Sequence, residues 1–370
     1  MVICSPQLGL SPNSILGGEV FDREILLGLA KSGVKVEIIL PQGKPHDQKI
    51  RNWHVTYLAI SHFPAILGNL FYLPYLFKVY KKNPFQILRI HQPQFLGFAA
   101  IIFRIFNPKV KLLATYHQFG ETKFFVFSKL INNFWDHIVT DSENARQSLI
   151  RKYKVNSKKI TVTKNGIPKY LKPTPKDSKL KKKLALEGKF VLLFMGLFIE
   201  RKNPIFLLDV LRQVVEYASN VTLIYWGDGP QKENIKRIAA SYGILKNIRF
   251  QDPVYGPLKN KIHNLGDVFV HPSIDEGFAL APLEAMACAK PVIMNDLHSA
   301  KEAVENTRNG FLCRANDVAN WTNRILILYK NKHLRKKLSK YSYLKAKRDF
   351  NWDQSARVHY EVLEELSKRN

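Results

Sequence analysis

Cysteine is scarce in this sequence: only Cys4, Cys288 and Cys313 occur in 370 residues. An odd count of three cysteines in so long a chain argues against a framework of disulfide bonds and favours a reducing compartment. The eleven histidines are scattered, and none has the spacing to cysteine that a zinc site requires. With 46% hydrophobic residues, the chain is expected to fold on ordinary hydrophobic cores, and its length fits two domains.

Long hydrophobic runs are also absent. The most apolar window, Phe95 to Phe103, is about half the length that a membrane-spanning helix needs. The first residues, MVICSPQLGLSPNS, lack the basic and then apolar segments of a signal peptide. We therefore expect a cytoplasmic protein that is not integral to a membrane but could lie on its inner face.

Acidic residues are few beside the basic ones: 30 aspartates and glutamates stand against 57 lysines and arginines, a net charge of +27. This excess predicts a polyanionic neighbour, which could be nucleic acid, an anionic membrane or a phosphorylated substrate. No signature of a common nucleic-acid-binding fold is present, which argues against the first.

The basic residues concentrate in two segments. Residues 169–189 contain eight lysines and two acids, and residues 324–348 contain ten basic residues and no acid. Both segments could face anionic lipid, and so could an apolar helix predicted from Ile66 to Tyr80. The alternatives are solvated surface segments and a helix that packs on the first sheet.

Strand-like and helix-like segments alternate along the first half of the chain. Apolar, β-rich runs occur at MVICSP, VKVEIILP, FQILRIHQP, VKLLATYHQ, WDHIVTDS and ITVTKNGI. Helical spacing of apolar residues marks EVFDREILLGLAKSG, FLGFAAIIFRIF and ENARQSLIRKYKV. This alternation predicts parallel strands joined by crossover helices.

The alternation stops at residues 169–189, where prolines and lysines predict a linker and a basic helix, and then it resumes. The second half has strands at KFVLLFMG, VTLIYWGDGP, NIRFQDPV, DVFVHPS, PVIMND and GFLC, with helices at PIFLLDVLRQVVEYA and PLEAMACA. We predict domains at 1–170 and 189–349, a linker at 171–188 and a last helix at 350–370. Two open sheets in series predict a ligand cleft at the carboxyl ends of their strands.

One segment, DVFVHPSIDEGFALAPLEAMACAKPVI at 267–293, resembles the retaining glycosyltransferases of the GT-B fold, specifically the glycosyltransferase family 4 group. It carries the E-x7-E motif of that group at Glu276 and Glu284. Further motifs occur in the family's order along nearly the whole chain: Gly17-Gly18, His117, Asn165-Gly166, Gly196, Lys202, GDGP at 227–230 and Trp352. The resemblance implies an α/β fold of two Rossmann-like, doubly wound domains across a cleft, with the C-terminal helix returning to the first domain.

The implied reaction moves a sugar from a nucleoside diphosphate to an acceptor hydroxyl and keeps the anomeric configuration. Lys202 would bind the leaving diphosphate, because a bound polyphosphate makes a cation before a helix favourable. The family's usual Gly-Arg is Gly196-Leu197 here, and Arg201 would replace the missing arginine. Without a ligand, Arg201 and Lys202 would simply be a pair of cations that face solvent.

The resemblance also implies roles for both glutamates. Glu276, in the loop before a helix, would lie at the donor sugar, where positive charge develops during transfer, without acting as a nucleophile. Glu284, in the first turn of the helix that Pro282 opens, would accept hydrogen bonds from the ribose hydroxyls. The backbone N–H groups that would hold sugar hydroxyls or phosphate oxygens belong to Gly277, Phe278 and Ala279.

Two further candidates lie in the first half. Gly17 and Gly18 begin the first helix and would let the backbone approach the donor, although an ordinary tight turn is the alternative. His117 ends a strand and would orient the donor sugar, although a single histidine is often only structural.

No metal is expected, because GT-B enzymes neutralise the diphosphate with side chains and helix ends. The co-substrate would be a UDP- or GDP-linked sugar, and the acceptor a glycan or a lipid-linked molecule. A nucleotide-sugar epimerase and a nucleotide-binding protein without transferase activity remain as alternatives.

Overall fold

The computed structural model describes residues 1–14, 16–61, 67–91, 93–117 and 130–369. The chain divides into two compact units, and each has its own hydrophobic core. Unit 1 is formed by Met1–Gly166 and Asn351–Asn370, and unit 2 by Ile167–Phe350.

Elements are numbered along the described part of the chain. The strands are β1 (Val2–Pro6), β2 (Lys35–Pro41), β3 (Trp53–Leu58), β4 (Ile87–His91), β5 (Lys111–Tyr116), β6 (His137–Thr140), β7 (Ile160–Val162), β8 (Phe190–Met195), β9 (Val221–Trp226), β10 (Ile248–Gln251), β11 (Val268–His271), β12 (Val292–Asn295) and β13 (Gly310–Cys313). The α-helices are α1 (Gly17–Lys31), α2 (Gly68–Lys82), α3 (Pro93–Phe106), α4 (Glu143–Tyr153), α5 (Ser178–Lys183), α6 (Phe206–Tyr217), α7 (Lys232–Ser241), α8 (Leu258–Leu265), α9 (Leu280–Ala287), α10 (His298–Ala303), α11 (Val318–Lys330), α12 (Lys332–Asp349) and α13 (Trp352–Lys368).

Unit 1 is built on a parallel sheet with the strand order β3-β2-β1-β4-β5-β6-β7. Each pairing is parallel, as the alternation of strands and helices predicts. The sequence interpretation did not include β3, which lies at the edge of the sheet. Its middle residues are exposed or half-buried, so it lacks the continuous apolar run of a central strand.

The C-terminal helix α13 packs on α1 in unit 1, and small residues permit the close approach. A Cβ added to Gly28 of α1 would lie 2.2 Å from the Cβ of Ala356. A Cβ on Gly166 would lie 2.3 Å from the backbone nitrogen of Trp352, which begins α13. The predicted return of the last helix to the first domain is therefore present, and it depends on these glycines.

Unit 2 is built on a second parallel sheet with the strand order β10-β9-β8-β11-β12-β13. Residues of the predicted linker take part in its core: Leu171, Leu184 and Leu186 are buried there. The basic helix in this segment is short, since α5 covers only Ser178–Lys183, and Asp177 caps it by accepting from the Leu180 N–H.

The apolar helix predicted from Ile66 to Tyr80 is α2, which begins at Gly68 and continues to Lys82. Ile66 itself lies outside the described residues. Within the described ranges, no helix combines the length and the apolar character that crossing a bilayer requires.

Candidate active site

In unit 2, two loops at the carboxyl ends of β8 and β9 are fixed to each other. The Phe198 N–H donates to the Asp228 carbonyl at 2.9 Å, and the Phe198 carbonyl accepts from the Gln231 N–H at 3.0 Å. Only glycine fits at Gly227, because a Cβ there would lie 1.9 Å from the Gly196 carbonyl oxygen. The glycine motifs of the sequence therefore hold the segment that leads to Arg201 and Lys202.

The carboxylate of Glu276 is the centre of the polar side chains near these loops. Lys202 forms an ion pair with Oε1, and Arg201 Nη1 lies 3.2 Å from Oε2. Ser273 Oγ donates to Oε1 at 2.8 Å, and His271 Nε2 lies 3.3 Å from the same oxygen. Two cations, a hydroxyl and an imidazole from the ends of β8 and β11 therefore converge on one carboxylate.

This cluster is mostly buried, with 8% of the Glu276 side chain exposed. Burial alone would raise the pKa of Glu276, but the hydrogen bond from His271 and the charge of Lys202 hold it well below its usual range. Burial lowers the pKa of both Lys202 and His271, and Glu276 opposes this effect. At neutral pH the glutamate is therefore ionised and His271 is neutral.

A small, open recess lies against Glu276 and is partly lined by polar side chains. Its walls include His271, Ser273 and Ser299, together with Phe278 and Ala279. Ala279 is the N-cap of α9, and its side chain cannot cap the helix. Backbone N–H groups of the first turn of α9 are thus available beside the recess.

Glu284 lies on α9, but the prediction that it occupies the first turn is wrong. The helix begins at Leu280, so Glu284 is its fifth residue and Pro282 is its third. Proline is tolerated there because the N–H groups of the first turn have no partner within the helix. Lys259 Nζ lies 2.7 Å from Oε1 of Glu284, and His263 Nε2 lies 3.3 Å from Oε2.

Glu284 and His263 are buried, whereas the Lys259 side chain is partly exposed. Burial would raise its pKa, but Lys259 and His263 lower it to about 2, so the carboxylate stays ionised. Both of its oxygens accept hydrogen bonds from the protein, and each retains lone pairs for a further donor.

His117 lies in unit 1, directly after β5, within a chain of buried polar groups. Its Nδ1 lies 3.2 Å from Asp141 Oδ2, and its Nε2 lies 3.1 Å from His91 Nδ1. His91 Nδ1 also lies 3.1 Å from Asp22 Oδ1. Because His91 donates from Nδ1, the network assigns the His117 proton to Nδ1, where it points to Asp141.

Among the described residues, one group offers the geometry for a metal ion: Asp22, His91 and His117, whose ligand atoms lie within 4.8 Å of one another. Both Asp22 oxygens already accept strong hydrogen bonds, from Arg89 Nη2 at 2.5 Å and Gln7 Nε2 at 2.7 Å. A guanidinium beside the carboxylate opposes a second cation there. The group is therefore better described as a hydrogen-bonded network.

The structure brings together part of the predicted site. Arg201 and Lys202 contact Glu276, and Phe278 and Ala279 line the adjacent recess. Gly277 lies between Glu276 and Phe278 in the chain. Glu284 lies on the following helix with its own partners. Gly17 and Gly18 are the first two residues of α1, in unit 1 with His117.

Sequence reasoning missed the residues that hold these groups: His271, Ser273, Lys259 and His263 in unit 2, and Asp22, His91 and Asp141 in unit 1. His271 left a signal, since it is a polar residue that ends the apolar strand DVFVH. Lys259 left none, because it is 25 residues from Glu284 and no local pattern joins them.

Two parallel-sheet, Rossmann-like domains in one chain define the GT-B class, and solved structures share this fold. Sucrose-phosphate synthase of Thermosynechococcus elongatus aligns with a TM-score of 0.84 and 18% identity, over 99% of this chain and 98% of that one. The Anabaena protein HepE, in complex with UDP and glucose, aligns with a TM-score of 0.78 and 21% identity, over 99% and 100%. The predicted fold class is confirmed.

Family comparisons agree with this class. Residues 15–169 match the family described as Glycosyltransferase Family 4, and residues 176–345 match Glycosyl transferases group 1. The chain therefore belongs to the GT-B glycosyltransferases of the group 1 and family 4-like kind. An uncharacterized glycosyltransferase of Methanocaldococcus jannaschii is 25% identical over 244 residues, which is 64% of this chain and 60% of that protein. The chain thus spans less than two thirds of this curated relative.

Proposed function

We propose that the protein transfers a hexosyl group from a nucleoside diphosphate sugar to an acceptor hydroxyl and retains the anomeric configuration. The observation that carries the proposal is the convergence of Arg201, Lys202, His271 and Ser273 on Glu276, beside the first turn of α9. The family supports a nucleotide-sugar donor, and one neighbour of the same fold is described with UDP and glucose.

In this proposal the diphosphate binds Lys202 and Arg201. The two cations now share one carboxylate, which leaves them with one more positive charge than Glu276 neutralises. A diphosphate balances this excess positive charge, and it gains further negative charge as its bond to the sugar breaks. Preorganised cations aimed at the leaving group stabilise the transition state more than the ground state.

Once the cations turn to the diphosphate, Glu276 faces the sugar. Its low pKa keeps it ionised, so it accepts hydrogen bonds from sugar hydroxyls and stabilises oxocarbenium-like charge without acting as a general acid. We propose front-face attack, in which the leaving phosphate oxygen takes the proton of the acceptor hydroxyl. Glu284 would accept from the ribose hydroxyls with its remaining lone pairs.

The acceptor in this proposal is a glycan or lipid-linked molecule of cell-envelope synthesis, and the donor is UDP- or GDP-linked. The reaction needs no metal, because the cations of unit 2 and the N-terminus of α9 supply positive charge. His117 would orient the donor sugar from unit 1.

A first experiment measures the thermal stability of the purified chain with UDP, GDP and ADP. One diphosphate should raise the midpoint of unfolding, since a ligand that binds only the native state stabilises it. With the matching nucleotide sugar and an acceptor, Lys202→Ala should reduce transfer by roughly 10²-fold or more.

Lys236→Ala is the matched control, because Lys236 is an exposed lysine of unit 2 that pairs with Glu233. It should retain full activity. Stabilisation by none of the diphosphates, or wild-type transfer by Lys202→Ala, would refute the assignment. Proton NMR of the product reports the anomeric configuration, and conversion of the donor alone would indicate an epimerase.

A further inference from the structure

The outer side of α3 in unit 1 exposes large apolar side chains. Ile102, Ile105 and Phe106 are 39%, 68% and 70% exposed. They occupy the last turns of a helix whose sequence, PQFLGFAAIIFRIF, contains Arg104 as its one charged residue. Burial in unit 1 explains the inward residues of α3 but not these three, which expose apolar surface to water at a cost.

Lysines lie at the same end of the helix as this apolar side. The last turns of α2 and α3 are adjacent, since the rings of Phe77 and Phe106 are 5.9 Å apart. The end of α2 carries the exposed Lys78, Lys81 and Lys82, and Lys109 follows α3. We name these four lysines with Ile102, Ile105 and Phe106 the α3 face.

No acidic residue balances this charge locally in the sequence. Residues 48–120 contain nine lysines and arginines but no aspartate or glutamate. The carboxylate found near the end of α3 is that of Asp136, and Arg104 Nη1 pairs with it at 2.6 Å. Among the described residues, none of the four lysines of the α3 face forms an ion pair, so they add positive charge beside the apolar side chains.

We propose that the α3 face docks on an anionic lipid bilayer, with Ile102, Ile105 and Phe106 in the headgroup boundary and the lysines against lipid phosphates. Apolar residues rimmed by lysine suit that interface, where burial and charge attraction act together. A second copy of the chain fits less well, because a symmetric contact would bring two identical basic rims together. This deepens the proposed function by placing the enzyme where a lipid-linked acceptor resides.

The test measures cosedimentation of the full chain with vesicles of phosphatidylcholine, with and without phosphatidylglycerol. Wild type should bind only the anionic vesicles and should dissociate at high salt. Lys81→Gln with Lys82→Gln should weaken binding roughly 30-fold, since each lysine near an anionic surface contributes about a factor of five. Ile105→Ser with Phe106→Ser should weaken it by roughly tenfold or more.

Matched controls lie in unit 2. Lys336→Gln with Lys337→Gln removes two exposed lysines of the basic helix α12, and Tyr217→Ser removes an aromatic ring that is as exposed as Ile105. Both controls should bind vesicles as wild type does. If the α12 variant loses binding while the α3 variants keep it, the docking surface is wrongly assigned.

A spectroscopic readout locates the contact directly. The native cysteines are all buried, so Ile105→Cys can be labelled selectively with a polarity-sensitive dye. Its emission should shift to the blue with anionic vesicles, and a label at Tyr217→Cys should not respond. Light scattering could instead show a dimer that the double variant Ile105→Ser with Phe106→Ser dissociates. If the wild type also failed to bind vesicles, the α3 face would be a self-association surface and not a lipid-docking surface.

Vesicle binding and catalysis are measured separately, so that the two proposals can fail independently. Donor binding is followed by the thermal shift with the nucleoside diphosphate, and the α3 variants should leave it unchanged. Vesicle binding through the α3 face without transferase activity would refute the proposed function alone. Transferase activity without any vesicle binding would refute the docking proposal alone.

Discussion

At the scale of single residues, ion pairs set the ionisation state of buried side chains, and Glu284 is the clearest case. An isolated buried carboxylate would take up a proton, but Lys259 and His263 keep Glu284 ionised. Replacing Glu284 leaves the partly buried ammonium group of Lys259 without its partner. The pair therefore links the folding stability of unit 2 to pH.

We predict that this link appears as acid sensitivity. The pKa of Glu284 is about 2 in the folded protein, below the ordinary value of 4.5, so the folded state binds its proton less readily than the unfolded state. The stabilisation is complete above the ordinary pKa and is lost as pH falls through about 2. In denaturant unfolding, the free energy of unfolding of the wild type should fall by on the order of 3 kcal/mol over this pH range. Glu284→Gln should lack this fall.

The slope of stability with pH, rather than stability at neutral pH, is the measured quantity, because Glu284→Gln also weakens the fold. Glu361→Gln, which removes an exposed carboxylate of α13 in unit 1, is the control and should keep the wild-type slope. An unchanged acid response in Glu284→Gln would contradict the ion pair with Lys259.

At this scale the sequence selected candidate residues but not the partners that hold them. The resemblance selected Glu276 and Lys202, and the structure joins them in one ion pair. It did not reveal that Glu284 pairs with Lys259, because packing of α8 against α9 creates that contact and no short motif encodes it. The roles of these residues in catalysis stay predictions.

At the scale of elements, the contact between α1 and α13 depends on one missing side chain. Gly28 faces Ala356, and a Cβ on Gly28 would lie 2.2 Å from the methyl group of Ala356. Real carbon atoms cannot approach so closely, so the helices would have to separate. The C-terminal helix is thereby tied to unit 1 through the smallest residues available.

We predict that Gly28→Ala destabilises the protein by about 1–3 kcal/mol, as overpacking of a well-filled contact does. The double variant Gly28→Ala with Ala356→Gly removes the opposing methyl group and should recover most of this loss. Denaturant unfolding of the four proteins completes the cycle. If Gly28→Ala and the double variant were equally stable, the clash with Ala356 would not be the cause of the lost stability.

Apolar patterns predicted most elements and failed where tertiary contacts decide. Alternation predicted the central strands because they are continuous apolar runs, and it also predicted the edge strands β7, β10 and β13. It missed β3, whose half-exposed position at the sheet edge weakens that signal. The start of α9 was misplaced because Pro282 suggests a first helical residue, whereas the helix begins two residues earlier.

At the scale of the whole molecule, the chain is two units that perform different parts of the proposed function. Unit 2 contains Arg201, Lys202, Glu276 and Glu284, and unit 1 contains His117 and the α3 face. The net charge of +27 favours polyanionic partners for both, a diphosphate for the first and lipid for the second. The units can thus be examined separately within the intact protein.

We predict that the nucleoside diphosphate identified by the thermal shift protects unit 2 from hydrogen exchange. Residues 196–203 and 271–284 should exchange more slowly, because they contain the cations, Glu276 and the N-terminus of α9. At a concentration of roughly 100 times Kd, amides that exchange through opening of unit 2 should slow about 100-fold. Lys202→Ala should abolish this protection at the same concentration, whereas Lys236→Ala should keep it. Protection confined to unit 1 would mean that the diphosphate binds elsewhere, because none of the cations assigned to it belongs to that unit.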